Sequence, residues 1–159
     1  MIQVCSTGTI TVNAAFLQEI KEVNQELWQL LASVRVRCAS ILAPHQVRGV
    51  VVLLQELRDQ LALHFALEEA YGYFEEPMDV APRLCLQADR LRAEHKDLYL
   101  DLCQIADQAE AFLVDGEEPL LASWLTPRFL SFDIRLKKHE ACENELILDA
   151  YECDLGGDG

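Results

Sequence analysis

Apolar residues in this chain recur in alternating steps of three and four, and the pattern holds in four separate stretches. The first reads Leu17, Ile20, Asn24, Leu27, Leu31, Val34; the second Val50, Leu54, Leu57, Leu61, His64, Glu68, Tyr71. The third reads Leu84, Ala88, Leu91, His95, Leu98, Leu102, Ile105; the fourth Phe129, Phe132, Leu136, His139, Glu143, Leu146. Steps of this kind keep every member on one stripe of an α-helix, so each stripe is expected to face a shared core. Six polar residues then point inward. A buried, unpartnered carboxylate costs on the order of several kcal/mol unless it is paired or ligates a metal. Asn24, His64, Glu68, His95, His139 and Glu143 therefore call for one common explanation, and a bound metal ion is the one favoured here.

Local punctuation places four helices. Residues 1–13 are rich in Thr and β-branched residues and read as an extended arm, with Asn13 as N-cap of a first helix over about 14–39. Pro44 opens a second helix that runs to about Phe74, where Glu75-Glu76-Pro77 ends it. Pro82 fits the first turn of a third, which lasts to about Leu113 before Asp115-Gly116. Thr126-Pro127 reads as the start of a fourth, ending near Asp154 ahead of Gly156-Gly157. The expected fold is all-α: an antiparallel up-down-up-down four-helix bundle over 14–155, with residues 156–159 as a flexible tail.

Composition bounds the partners. With 159 residues, 51% of them hydrophobic, the chain has ample material for one core. Its 13 basic against 27 acidic residues give a net charge of −14, which repels nucleic acid and anionic membranes and attracts cations. The first twenty residues contain no Lys or Arg, and no apolar run approaches a membrane span, so a soluble cytoplasmic protein is expected. Six cysteines, Cys5, Cys38, Cys85, Cys103, Cys142 and Cys153, lie without a CxxC pair and suit reduced thiols in a reducing compartment.

His64 and Glu68 are four apart, as are His139 and Glu143, so each pair stacks on one helical face. All the inward polar residues fall within about two turns of the midpoints of their helices at roughly 1.5 Å per residue, and midpoints are level in an antiparallel bundle. Leu57, Leu61, Leu98, Leu102, Phe132, Leu136 and Leu146 would close the layer above and below. No histidine has a Glu three residues before it, which disfavours the ferritin-like di-iron pattern. Nitrogen and oxygen donors without core thiolates suit iron or manganese, and zinc is tolerable.

The stretches His64-Phe65-Ala66-Leu67-Glu68-Glu69, Glu94-His95-Lys96-Asp97-Leu98 and His139-Glu140-Ala141-Cys142-Glu143-Asn144 resemble the second-, third- and fourth-helix signatures of the hemerythrin-like, HHE-type cation-binding domains. The resemblance implies a non-haem di-iron centre, with His64, His95 and His139 as terminal ligands and Glu68 and Glu143 as bridges. It also implies binding of dioxygen or peroxide, or sensing of iron and oxygen, more than an enzymatic activity. Where the family has a first-helix histidine this chain has Asn24, and Leu91 stands where many members have a second histidine on the third helix. One iron, manganese or zinc ion in place of two irons is chemically open, with Asn24, Glu22, Glu26 or water completing the site. The metal-free alternative is a structural or interaction bundle with a residual network, pairing His64 with Glu143 and His139 with Glu68. Glu69 and Glu140 point off the stripe and are expected in solvent, while Tyr71 and Tyr99 border the layer.

Overall fold

A computed structural model of the chain describes residues 9–40, 42–76 and 82–156. It is all-α apart from one small ribbon. In order come strand β1 (Thr9–Val12), helices α1 (Ala14–Val23), α2 (Gln25–Cys38) and α3 (Pro44–Leu67), a π-helical turn (Glu68–Gly72), strand β2 (Tyr73–Glu76), and helices α4 (Pro82–Val114) and α5 (Glu118–Gly156). The strands pair antiparallel, Thr9 opposite Glu76 and Val12 opposite Tyr73. The expected arm thus forms a strand over its last residues; residues 1–8 and most of the expected tail, 157–159, lie outside the described residues, and Gly156 ends α5.

Several of the expected boundaries hold for the reasons given. Asn13 caps α1, its Oδ1 accepting the Phe16 N–H at 3.1 Å. Pro44 and Pro82 each open a helix, where the missing N–H costs nothing. Gly116 adopts φ 71°, and the N–H groups of Gly116 and Glu117 close α4 onto Leu113 and Phe112 in a Schellman pattern.

Three boundaries differ. The first helix is broken at Asn24, whose ψ of 59° is non-helical and whose Oδ1 accepts the Leu27 N–H at 3.4 Å. A side chain able to cap thus restarts the helix where an apolar stripe alone predicts continuity. The second helix ends at Leu67, not Phe74: the Tyr73 N–H bonds the Glu68 carbonyl five residues back, and this wide turn leads directly into β2. The fourth helix begins at Glu118, eight residues before Thr126, because Gly116 reverses the chain sooner and Pro119 serves as the first-turn proline. Pro127 is left inside α5, where it removes one helical hydrogen bond. The fully buried Leu125 and Phe129 on either side offset that loss, at ~1.5–3 kcal/mol for each such side chain.

Contacts gather in two compact units, one from residues up to Val23, Phe65–His95 and the chain from His139 onward, the other from Asn24–His64 and Lys96–Lys138. In the first, α1 lies against the π turn: the Asn13 N–H donates to the Gly72 carbonyl at 2.7 Å, and Leu17 is fully buried. Ile10, Ala14, Leu17, Tyr73, Leu84, Ala88, Leu91, Leu146 and Ile147 form its apolar cluster. The second unit contains a partly buried ion pair, Asp133 with Arg35, held by two hydrogen bonds of 2.7 and 2.8 Å and supported by Lys137 at 3.4 Å. Burial pushes the Asp133 carboxyl up, but Arg35 and Lys137 outweigh it and hold it below the ordinary carboxylate value.

Two stability predictions arise. A Cβ at Gly72 would stand 2.8 Å from Leu17 Cδ1, so Gly72→Ala is expected to destabilise the chain by about 1–3 kcal/mol in chemical unfolding. Arg35→Leu leaves the Asp133 carboxylate short of its main partner; because Arg35 is partly exposed, the expected loss at pH 7 is about 2 kcal/mol, less than for a fully buried pair. Since the folded-state pKa of Asp133 is depressed, the pair's contribution is present above the unfolded value and vanishes as pH falls through the folded one. The gap between wild type and variant should therefore close below about pH 4 in urea titrations.

Candidate metal centre

The first unit brings together Glu68 from the π turn, His95 from α4, and His139 and Glu143 from α5. Each offers one ligand atom, and these atoms lie within 4.8 Å of one another; all four residues are buried. His95 Nε2 is 3.3 Å from Glu68 Oε1 and 3.4 Å from Glu143 Oε2, and His139 Nε2 is 3.5 Å from Glu143 Oε2.

What orients the two imidazoles lies behind them. His95 Nδ1–H donates to Glu69 Oε2 at 2.8 Å, and His139 Nδ1–H donates to Glu94 Oε1 at 2.8 Å. With the proton held on Nδ1 by a carboxylate, Nε2 is the nitrogen turned towards the cluster, and its basicity is raised. Aromatic rings fix the same geometry: Phe65 stacks on His95 with centroids 4.0 Å apart, and Tyr73 meets that ring edge-on at 5.7 Å. Burial alone would strip His95 of charge, but Glu143 and Glu68 outweigh it and push its pKa up to about 10; His139 is raised in the same way, chiefly through Glu143. A metal ion bound to Nε2 would stand in place of such a proton.

Glu143 has further partners. Tyr73 donates its hydroxyl to Glu143 Oε2 at 2.6 Å, while Lys21 of α1 reaches Glu143 Oε1 at 2.9 Å and Glu140 Oε1 at 2.5 Å. Burial opposes ionisation of Glu143, yet His139, His95 and Lys21 together hold its carboxyl well below the ordinary value. Glu140 is pushed the other way, up to about 7, by burial and by the neighbouring Glu143 charge.

Of the five ligands expected from the sequence, Glu68, His95, His139 and Glu143 are thus brought together; His64 is not in that group. It lies in the second unit, buried, where Asn24 Nδ2 donates to its Nδ1 at 2.9 Å and Trp28 packs edge-on at 5.3 Å. Its Nδ1 being an acceptor, the neutral ring carries its proton on Nε2, the reverse of His95 and His139. Asn24 therefore acts on His64, while Glu22 and Glu26 are exposed. The metal-free pairing of His139 with Glu68 is replaced by His139 with Glu143 and His95 with Glu68. Glu69 is exposed, as expected, while its carboxylate bonds His95; Glu140, expected in solvent, is largely buried and bonds Lys21. Tyr71 is 58% exposed; the π turn adds a residue to the repeat, and Tyr73 takes the inward place. The sequence reading did not single out Lys21, Phe65, Tyr73 or Glu94 as site residues, and only Phe65 and Glu94, each adjacent to an inward histidine, carried a local signal.

The donor set fits a metal ion. It supplies two imidazole nitrogens and two carboxylates with no thiolate, a set that suits iron, manganese or zinc. His139 Nε2 is buried and makes no hydrogen bond among the described residues, which leaves it available to an ion. Compared with known proteins, the chain matches no family model, no curated protein and no solved structure.

Removing the Tyr73 hydroxyl takes away a buried, charge-assisted hydrogen bond. Tyr73→Phe is expected to lower the stability of the metal-free protein by about 1.5–3 kcal/mol, measured by urea unfolding.

Proposed function

We propose that this chain is a non-haem iron-binding protein of the hemerythrin-like kind, whose iron is held by Glu68, His95, His139 and Glu143 within an antiparallel up-down-up-down four-helix bundle. The observation that carries this reading is the pair of Nδ1–H bonds to Glu69 and Glu94, which aim both Nε2 atoms at two buried carboxylates. A histidine that is merely structural needs no such tautomer control, whereas a metal-ligating one almost always has it. Iron is preferred because the donors are nitrogen and oxygen, and bound there it would supply one-electron redox chemistry and affinity for dioxygen or peroxide. The residues of the chain do the rest: Phe65 and Tyr73 wall His95 from water, and Glu69 and Glu94 keep the imidazoles oriented. Among the described residues no helix is long and apolar enough to cross a membrane.

Lys21 favours a second reading, a metal-free structural or interaction bundle, because its ammonium already neutralises part of the buried negative charge. Metal content separates the two. Protein purified from iron-supplemented cells is expected to contain iron by elemental analysis, and His139→Ala to lose it together with the stability that binding confers. Glu69→Gln and Glu94→Gln should remain folded yet bind metal roughly 10–100-fold more weakly. Absence of metal from the wild type under every loading condition would leave the metal-free network.

A further inference from the structure

Resting on the metal reading above, we infer that Lys21 occupies the place of a second cation, so that the centre takes one divalent ion and not the pair implied by a hemerythrin-like site. Two independent features point to this.

The first is the use of the Glu143 oxygens. A carboxylate that bridges two metals in the common two-oxygen mode gives one oxygen to each. Here Oε1 is held by the Lys21 ammonium at 2.9 Å, while Oε2 accepts the neutral Tyr73 hydroxyl at 2.6 Å and still faces His95 Nε2 and His139 Nε2 at 3.4 and 3.5 Å. One oxygen remains for metal, on the side where both imidazoles converge. The ammonium therefore sits against Glu143 as a second ion would, with Glu140 as its other ligand at 2.5 Å. Lys21 is well placed to stay: its side chain is 11% exposed, and α1, which carries it, is anchored on the π turn by Leu17 and the Asn13–Gly72 hydrogen bond.

The second is charge. Among the largely buried groups, Glu68, Glu140 and Glu143 against Lys21 leave two negative charges when all are ionised; Glu69 and Glu94, behind the imidazoles, are 46% and 41% exposed and screened by water, and His95 and His139 add none once a metal replaces their Nε2 protons. One divalent ion cancels that sum. Two would leave an uncompensated double positive charge in a buried site, where an unbalanced charge is costly.

The test is anaerobic titration of the metal-free full-length protein with manganese(II), read by bound metal per chain and by electron paramagnetic resonance. Wild type is expected to bind one ion, with the hyperfine pattern of an isolated manganese. Lys21→Met removes the competing charge and frees Glu143 Oε1, so it should bind manganese at least about tenfold more tightly or take up a second, spin-coupled ion. Lys21→Arg keeps the charge and should retain one ion at near wild-type affinity, a comparison that stands if the methionine variant fails to fold. Two spin-coupled ions in the wild type would overturn the inference while leaving the metal reading intact, as would Lys21→Met with unchanged or weaker binding. No binding to any of the three proteins would overturn both.

Discussion

Three carboxylates withdrawn from water into one apolar unit set the terms for everything around them. Glu68 and Glu143 are fully buried and Glu140 nearly so. Charges in that position must be matched locally, because the loss of hydration exceeds anything the surrounding leucines return. The chain meets the demand with Lys21, with His95 and His139, and with the Tyr73 hydroxyl, drawn from four different elements. Each of those groups is held by something else in turn. Lys21 depends on the seating of α1, the imidazoles on Glu69 and Glu94, and Tyr73 on the turn that precedes it.

Two local departures from regular helix make the arrangement possible. The π turn over Glu68–Gly72 lets Glu68 continue the inward stripe of α3 and then releases the chain into β2, so that Tyr73 reaches Glu143. The break at Asn24 lets α1 and α2 part company, and α1 settles against that same turn with Lys21 directed at Glu140 and Glu143. Gly72 is the point at which both meet: its carbonyl accepts the Asn13 N–H, and its missing Cβ leaves room for Leu17. Irregularities of this sort cost stability in the free helix and recur where a protein must place side chains that a regular repeat cannot.

Sequence periodicity made the helical class legible, and all five candidate ligands, each buried, could be read as inward-facing because a three-four repeat fixes which face a residue occupies. It could not reveal Tyr73, which stands five residues after Glu68 and becomes inward only through the π turn. Nor could it reveal Lys21, since an acidic chain with few lysines gives no reason to bury one; its partners are 119 and 122 residues away. The start of α5 was misplaced because Thr126-Pro127 has the chemistry of a helix start, and only the tertiary burial of Leu125 and Phe129 makes an interior proline tolerable.

His64 shows where spacing stops being informative. His64 with Glu68 and His139 with Glu143 are the same two residue types at the same offset, and the repeat treats them alike. What separates them is the group on the far ring nitrogen. Glu94 can only accept, so the neutral ring of His139 carries its proton on Nδ1; the Asn24 amide donates, so the neutral ring of His64 carries its proton on Nε2. The two histidines thus differ by one partner that lies 45 residues away in one case and 40 in the other. The tautomer of each neutral histidine in this chain is accordingly set by the residue behind it, which a three-four repeat does not display.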